Sequence, residues 1–108
     1  FNRRFPDGRE KVHPGTMLLT REAYWKVGGC DEDFVGNYGQ TDIHFFYRSD
    51  KILPTDIRTE IMLEFREDGE TPTIDRSKLE PNRLLLEEKK RTGRWSSEFL
   101  RFPWEREL

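Results

Sequence analysis

The sequence predicts a mixed α/β domain, two or three helices packed on a small mixed sheet. Three observations carry this. Short apolar or alternating runs alternate with segments of helical spacing; glycine pairs and prolines punctuate them; and 14 aromatics (eight Phe, three Tyr, three Trp) in 108 residues argue for a packed rather than a disordered chain.

Residues 1 to 11, FNRRFPDGREK, contain Pro6-Asp7-Gly8, in which proline presets φ and glycine accepts a positive φ, so a loop or edge hairpin is expected. Thr16 to Leu19 follows Pro14-Gly15 as a short apolar run and reads as a buried strand. Thr20 can cap a helix over Arg21 to Val27, and Gly28-Gly29 supplies a left-handed stop. Asp42 to Lys51 sets Ile43, Phe46 and Tyr47 at helical spacing with Phe45 beside them, which predicts a second helix. Ile52-Leu53-Pro54 and Glu60 to Phe65 read as extended, the latter alternating Ile61, Leu63 and Phe65 against Glu60, Met62 and Glu64. Asp68 to Thr73 is turn-rich. A third helix begins at Pro81 with Glu80 as N-cap, or at Ser77, whose spacing to Glu80 is that of a capping box, and it stops near Gly93. Residues 94–108 are rich in aromatics, and Phe99, Phe102 and Trp104 are expected to pack on the body of the domain or on a partner.

Charged residues make up 37% of the chain and hydrophobic ones 33%, so the core is expected to be thin. Lys and Arg number 19 against 21 Asp and Glu, for a formal charge of −2, with both signs interspersed. This balance does not suit a binder of nucleic acid. The basic cluster of Arg3, Arg4, Arg9 and Lys11 and the mixed run Glu87-Glu88-Lys89-Lys90-Arg91 both read as solvated faces. The single cysteine, Cys30, excludes an intrachain disulfide and favours a reducing compartment. With no membrane-spanning run in the sequence, a cytoplasmic location is the default expectation, the cytoplasmic face of a membrane included. The chain opens on Phe1 rather than Met, so its start is not taken as natural.

The informative stretch is His13 to Arg48. Gly28-Gly29-Cys30-Asp31-Glu32-x-Phe34 is followed by Tyr38-Gly39-Gln40-Thr41-Asp42-x-x-Phe45-x-x-Arg48. This order resembles the distal, acceptor-side part of GT-A fold glycosyltransferases, particularly family 2 and the related galactosyltransferases. The resemblance covers about a third of the chain. It implies a partial GT-A-like domain whose nucleotide-sugar donor is held by an upstream half, together with Mn or Mg, and whose own residues receive a saccharide acceptor. It places Asp42 as the catalytic carboxylate, because an acceptor hydroxyl that attacks a sugar carbon must lose its proton to a nearby base. It places His13, Gly15, Asp31, Tyr38, Gly39 and Thr41 around the acceptor. Thr41 departs from the resemblance, standing where another acid is usual, and His44 replaces a frequent Asp.

Residue by residue, plainer readings stand beside these. Asp42 also reads as a helix N-cap or first-turn acid. Asp31-Glu32-Asp33 has the spacing of a metal-binding D-x-D, but it follows the glycine pair rather than a strand, and Asp31 is expected to close the turn through backbone amides. His13 reads as a loop residue before Pro14 and His44 as a helix-surface residue, with His44 the candidate metal ligand. Cys30 reads as a small buried hydrophobe. Tyr24, Trp25, Tyr38 and Trp104 could stack on sugar rings, Tyr38 first among them, whereas Trp25 reads as core. Two functions follow: the acceptor and catalytic-base half of a glycosyltransferase, inactive alone, or a stand-alone saccharide- or protein-binding module that has lost catalysis. A thin core and an aromatic tail make a homo-oligomer plausible under either.

Overall fold

A computed structural model of the chain describes residues 1–64 and 75–93. The Asp68 to Thr73 loop, Phe65 and the aromatic segment 94–108 lie outside the described residues. Strand β1 (Asn2–Arg4) and strand β2 (Glu10–Val12) form an antiparallel hairpin with Asn2 opposite Val12 and Arg4 opposite Glu10. Its turn depends on Gly8, at φ 87°, whose N–H donates to the Phe5 carbonyl at 2.9 Å. The basic cluster gathers here around one ring: Arg3, Arg9 and Lys11 stand 4.6, 5.6 and 5.3 Å from the Phe5 centroid.

Helix α1 (Arg21–Val27) starts and stops as its sequence dictates. The Thr20 hydroxyl accepts from the Ala23 N–H at 3.1 Å, and Gly28 ends the helix in the left-handed conformation at φ 95°. Helix α2 spans Thr41–Ile52, strand β3 spans Met62–Glu64, and helix α3 spans Leu79–Thr92 with Gly93 as its left-handed stop. Strand β3 pairs parallel to β1, giving the sheet order β2-β1-β3. The fold is therefore α/β, three helices with a small mixed sheet.

Four expectations for local structure are corrected. Thr16 to Leu19 is not a strand: the segment turns at its start, where the Thr16 N–H reaches the His13 carbonyl, and it pairs with none of β1, β2 and β3. Leu18 is 90% exposed as a result. The Ser77 capping box does not form, because Glu80 pairs with Arg83 and it is Asp75 that accepts from the Ser77 N–H, capping a short 3-10 turn (Arg76–Lys78) ahead of α3. The buried face of α2 is His44, Phe45 and Arg48 rather than Ile43, Phe46 and Tyr47. Trp25, read as core, is half exposed.

Among the described residues the buried apolar side chains are Val27, Phe34, Phe45 and Leu86. They lie on the helices and on a 3-10 turn (Glu32–Phe34), and no strand residue is fully buried. Alongside them are buried Asp31, His44, Arg48, Asn82 and Lys89, so polar groups make up much of this core. A half-open cleft of about 480 Å³ runs between the strands and α2, lined by Val12, Met17, Phe46, Leu53 and Ile61 among others.

Arg48 joins α2 to the end of α1. Its guanidinium donates to the Val27 carbonyl at 2.7 Å and to the Gly29 carbonyl, acceptors that a helix end otherwise leaves to water. Arg48→Met should therefore lower the free energy of unfolding by about 3 kcal/mol, read from the urea midpoint, and Arg48→Lys should recover only part of the loss because an ammonium lacks the fork.

Candidate acceptor site

The site begins at the end of β2. The His13 backbone N–H donates to the Phe1 carbonyl at 2.9 Å, and the His13 Nδ1 lies 2.8 Å from the Thr16 hydroxyl, so main chain and ring are each held by one contact. Gly15 then passes close beneath the first turn of α2. A methyl group placed on Gly15 would stand 2.7 Å from Asp42 Oδ2 and 3.3 Å from His13 Cε1. Asp42, some thirty positions away in sequence, is thus brought against the His13-Pro14-Gly15 turn. Burial first and Arg3 second pull the His13 pKa below its ordinary value, while Asp42 pulls it back up. The imidazole is neutral at neutral pH, able to accept or donate one hydrogen bond.

Asp42 is the second residue of α2 and is part-buried. It is not the N-cap: that position is Gln40, whose side chain makes no capping bond. A first-turn acid is favoured by the helix dipole, and Asp42 has that position without spending its carboxylate on a cap.

The loop before α2 supplies Tyr38 and Gly39, and the first residue of α2 is Thr41, all three part-exposed. Gly39 and Gln40 both adopt positive φ, 79° and 70°. Gln40 is the one non-glycine residue to do so among the described residues. Its carbonyl accepts the His44 N–H at 2.9 Å, the bond that starts α2 and fixes the direction in which Thr41 and Asp42 leave the loop.

Asp31 is placed elsewhere. It is 1% exposed, its Oδ1 accepts from the Asp33 N–H at 2.9 Å as expected of a turn-closing acid, and its Oδ2 lies 2.8 Å from Lys89 Nζ. Its carboxylate is turned to the interior rather than to an acceptor. Lys89 also reaches Asp33 at 2.7 Å. Burial alone would raise the Asp31 pKa, but the Lys89 and Asp33 N–H bonds outweigh it and hold it below the usual carboxylate range. The run containing Lys89 is therefore not wholly a solvated face. Nothing in that charge run distinguished Lys89 from Lys90; the signal lay in helical spacing, which sets Asn82, Leu86 and Lys89 on one buried face.

His44 is not on the helix surface but fully buried, its ring 5.1 Å from Phe34 and its Nδ1 3.7 Å from Asp31 Oδ2. Burial first, then Arg48, acts against a charge on its ring, with Asp31 opposing them. Among the described residues no group of three or more His, Cys, Asp or Glu side chains is arranged to hold a metal ion. Asp31 and Asp33, held by Lys89, do not fit a divalent cation bound to a D-x-D. Of the stacking candidates, Tyr24 lies against Phe45 at 5.4 Å and its hydroxyl accepts from the Cys30 N–H, while Trp104 is outside the described residues. Cys30 itself is half-buried.

Comparison of the chain with known protein families, with characterised proteins and with solved structures gives no match. Among the described residues no helix is long and apolar enough to cross a membrane.

Two measurements follow from this geometry. Gly15 needs no special φ, so Gly15→Ala acts through space alone. It should push the Asp42 carboxylate away from His13 and lower the His13 pKa further, as read by NMR titration of the imidazole. His44 has its pKa lowered from 6.5 to about 4, by burial first and Arg48 second. The unfolded chain therefore takes up a proton that the folded chain refuses as pH falls through that window, and stability falls with it. Unfolding free energy should be about 2 kcal/mol smaller at pH 5 than at pH 7. His44→Gln should remove most of the difference; Asp31, whose pKa is depressed, should keep its contribution across this range and lose it only in stronger acid.

Proposed function

We propose that this chain is the acceptor-binding and catalytic-base half of a nucleotide-sugar-dependent glycosyltransferase. The observation that carries the reading is the meeting of His13, Gly15 and Asp42 at one point beside a part-exposed Tyr38 loop. These are residues that the resemblance to GT-A enzymes assigns to the acceptor, and Asp42 reaches the His13-Pro14-Gly15 turn from a distant part of the sequence.

In this reading a saccharide hydroxyl binds between the His13 imidazole and the Asp42 carboxylate. Its proton passes to Asp42 as its oxygen bonds to the anomeric carbon of the donor sugar; the bond from that carbon to the diphosphate breaks, and the leaving oxygen keeps the electron pair. Tyr38 offers a ring face to the pyranose, and Thr41 a hydroxyl where a second acid is usual. The donor and its Mn or Mg belong to an upstream half, since Asp31 and Asp33 are committed to Lys89. The apolar rim of the cleft, with Leu18, Ile57 and Ile61 exposed along it, suits burial against further protein. The location consistent with one reduced cysteine is the cytoplasm or the cytoplasmic face of a membrane.

A second reading is favoured by Thr41: a saccharide-binding module that has kept the acceptor site and lost transfer. It differs in requiring neither nucleotide nor metal.

In the complete transferase, Asp42→Asn should lower kcat by about 100-fold or more while leaving nucleotide-sugar binding unchanged. Undiminished transfer would remove Asp42 from the chemistry. Saccharide binding by the chain with no transfer by the complete protein would favour the second reading.

A further inference from the structure

The geometry points to Asn82 as a positioning residue for the acceptor site: its side-chain amide clamps the Phe34 and Gly39 carbonyls and so fixes the turn that sets Asp42 beside His13. Its catalytic consequence rests on the acceptor-site reading; the clamp itself does not.

Asn82 lies on the buried face of α3 and is 1% exposed. Its Nδ2 donates to the Phe34 carbonyl at 3.0 Å and to the Gly39 carbonyl at 2.8 Å. An amide nitrogen carries two N–H donors, and two carbonyls facing one atom fix which end of the amide points at them. The two carbonyls bracket the loop in which Gly36, Gly39 and Gln40 all hold positive φ. Such a loop has many alternatives in solution and persists only where its surroundings leave no other choice. Residues 78 to 82 provide those surroundings. The Tyr38 N–H donates to the Lys78 carbonyl at 3.1 Å, and Leu79 packs so near Gly39 that a methyl there would meet its Cδ1 at 3.0 Å. Two turns further along the same face, Lys89 grips Asp31 and Asp33 at the other end of the loop. One helix face thus holds the loop at both ends, and the loop delivers Asp42 through the Gln40 carbonyl bond to His44.

The test uses the 108-residue chain and reads His13, which feels Asp42 but not the neutral Asn82. Arg3, Lys11 and the N-terminus also act on His13, and none is altered by these variants. In Asn82→Ala and Asn82→Leu the His13 titration midpoint, followed by NMR, should move down toward that of Asp42→Asn. In Leu86→Ala, on the same buried face but outside the clamp, it should stay at the wild-type value even at equal thermal destabilisation. No movement in the Asn82 variants, or equal movement in Leu86→Ala, overturns the proposal. Should the Asn82 variants not fold, native-state hydrogen exchange of the unaltered chain decides: the Tyr38 and His44 amides should open only together with those of α3, and independent opening of Tyr38 overturns the clamp. In the complete transferase Asn82→Ala should lower kcat by about 100-fold with the KM for nucleotide sugar unchanged. Transfer lost in Asp42→Asn but kept in Asn82→Ala overturns the positioning role. Transfer kept in both, with the His13 midpoint moved, retains the clamp and retires the acceptor-site reading.

Discussion

The contact between Lys89 and Asp31 is the constraint on which the rest of this small structure depends. A charge carried from water into a protein interior costs several kcal/mol unless it is paired and hydrogen-bonded. Here the pair is one member of a set: Asp33 shares the ammonium, His44 sits neutral beside it, and Arg48 spends its guanidinium on the carbonyls that end α1. Among the described residues the four buried apolar side chains would alone make a weak core with little to choose between packings. The polar groups instead admit few arrangements, because displacing one leaves a charge or a carbonyl without its partner.

The site inherits its shape from that core through backbone conformation. The strained Gln40 and the glycines around it let the chain reverse within a few residues and enter α2 at a set angle. Gly15 lets a second loop approach from the sheet side so closely that a methyl group there would stand 2.7 Å from Asp42 Oδ2 and 3.3 Å from His13 Cε1. Neither loop has regular structure of its own. The first is held by hydrogen bonds to α3 and the residue before it, the helix that carries Lys89, and the second by a bond to the Phe1 carbonyl beside β1, an arrangement suited to presenting polar side chains on a rigid base.

Much of the fold was legible in the residues. The Pro6-Asp7-Gly8 turn, the Thr20 cap, the Gly28 stop and the Gly93 stop act where local chemistry places them, because each is a bond or a φ requirement within a few positions. The strand at Met62–Glu64 lies within its alternating run. What failed was decided at long range. Thr16 to Leu19 has strand-like composition but pairs with none of β1, β2 and β3. On α2, apolar spacing pointed to Ile43, Phe46 and Tyr47, whereas the buried face carries His44 and Arg48, whose worth depends on Asp31, Lys89 and the end of α1. For the same reason Asp31 was expected at the acceptor and lies in the core. Of the candidate site, Asp42 lies against the His13-Pro14-Gly15 turn, and Tyr38 and Gly39 lie on the loop that leads into α2 at Thr41. Asn82, some forty positions away, carried no local signal.

The most direct test of the account is to titrate the isotopically labelled chain with a panel of mono- and disaccharides and map the residues whose NMR signals move. The account predicts that an accepted sugar shifts His13, Gly15, Tyr38 and Asp42 together, without nucleotide or metal, and that Asp42→Asn weakens the response. A panel that leaves these four unmoved, or that shifts only residues of the apolar cleft such as Phe46 and Leu53, would contradict it.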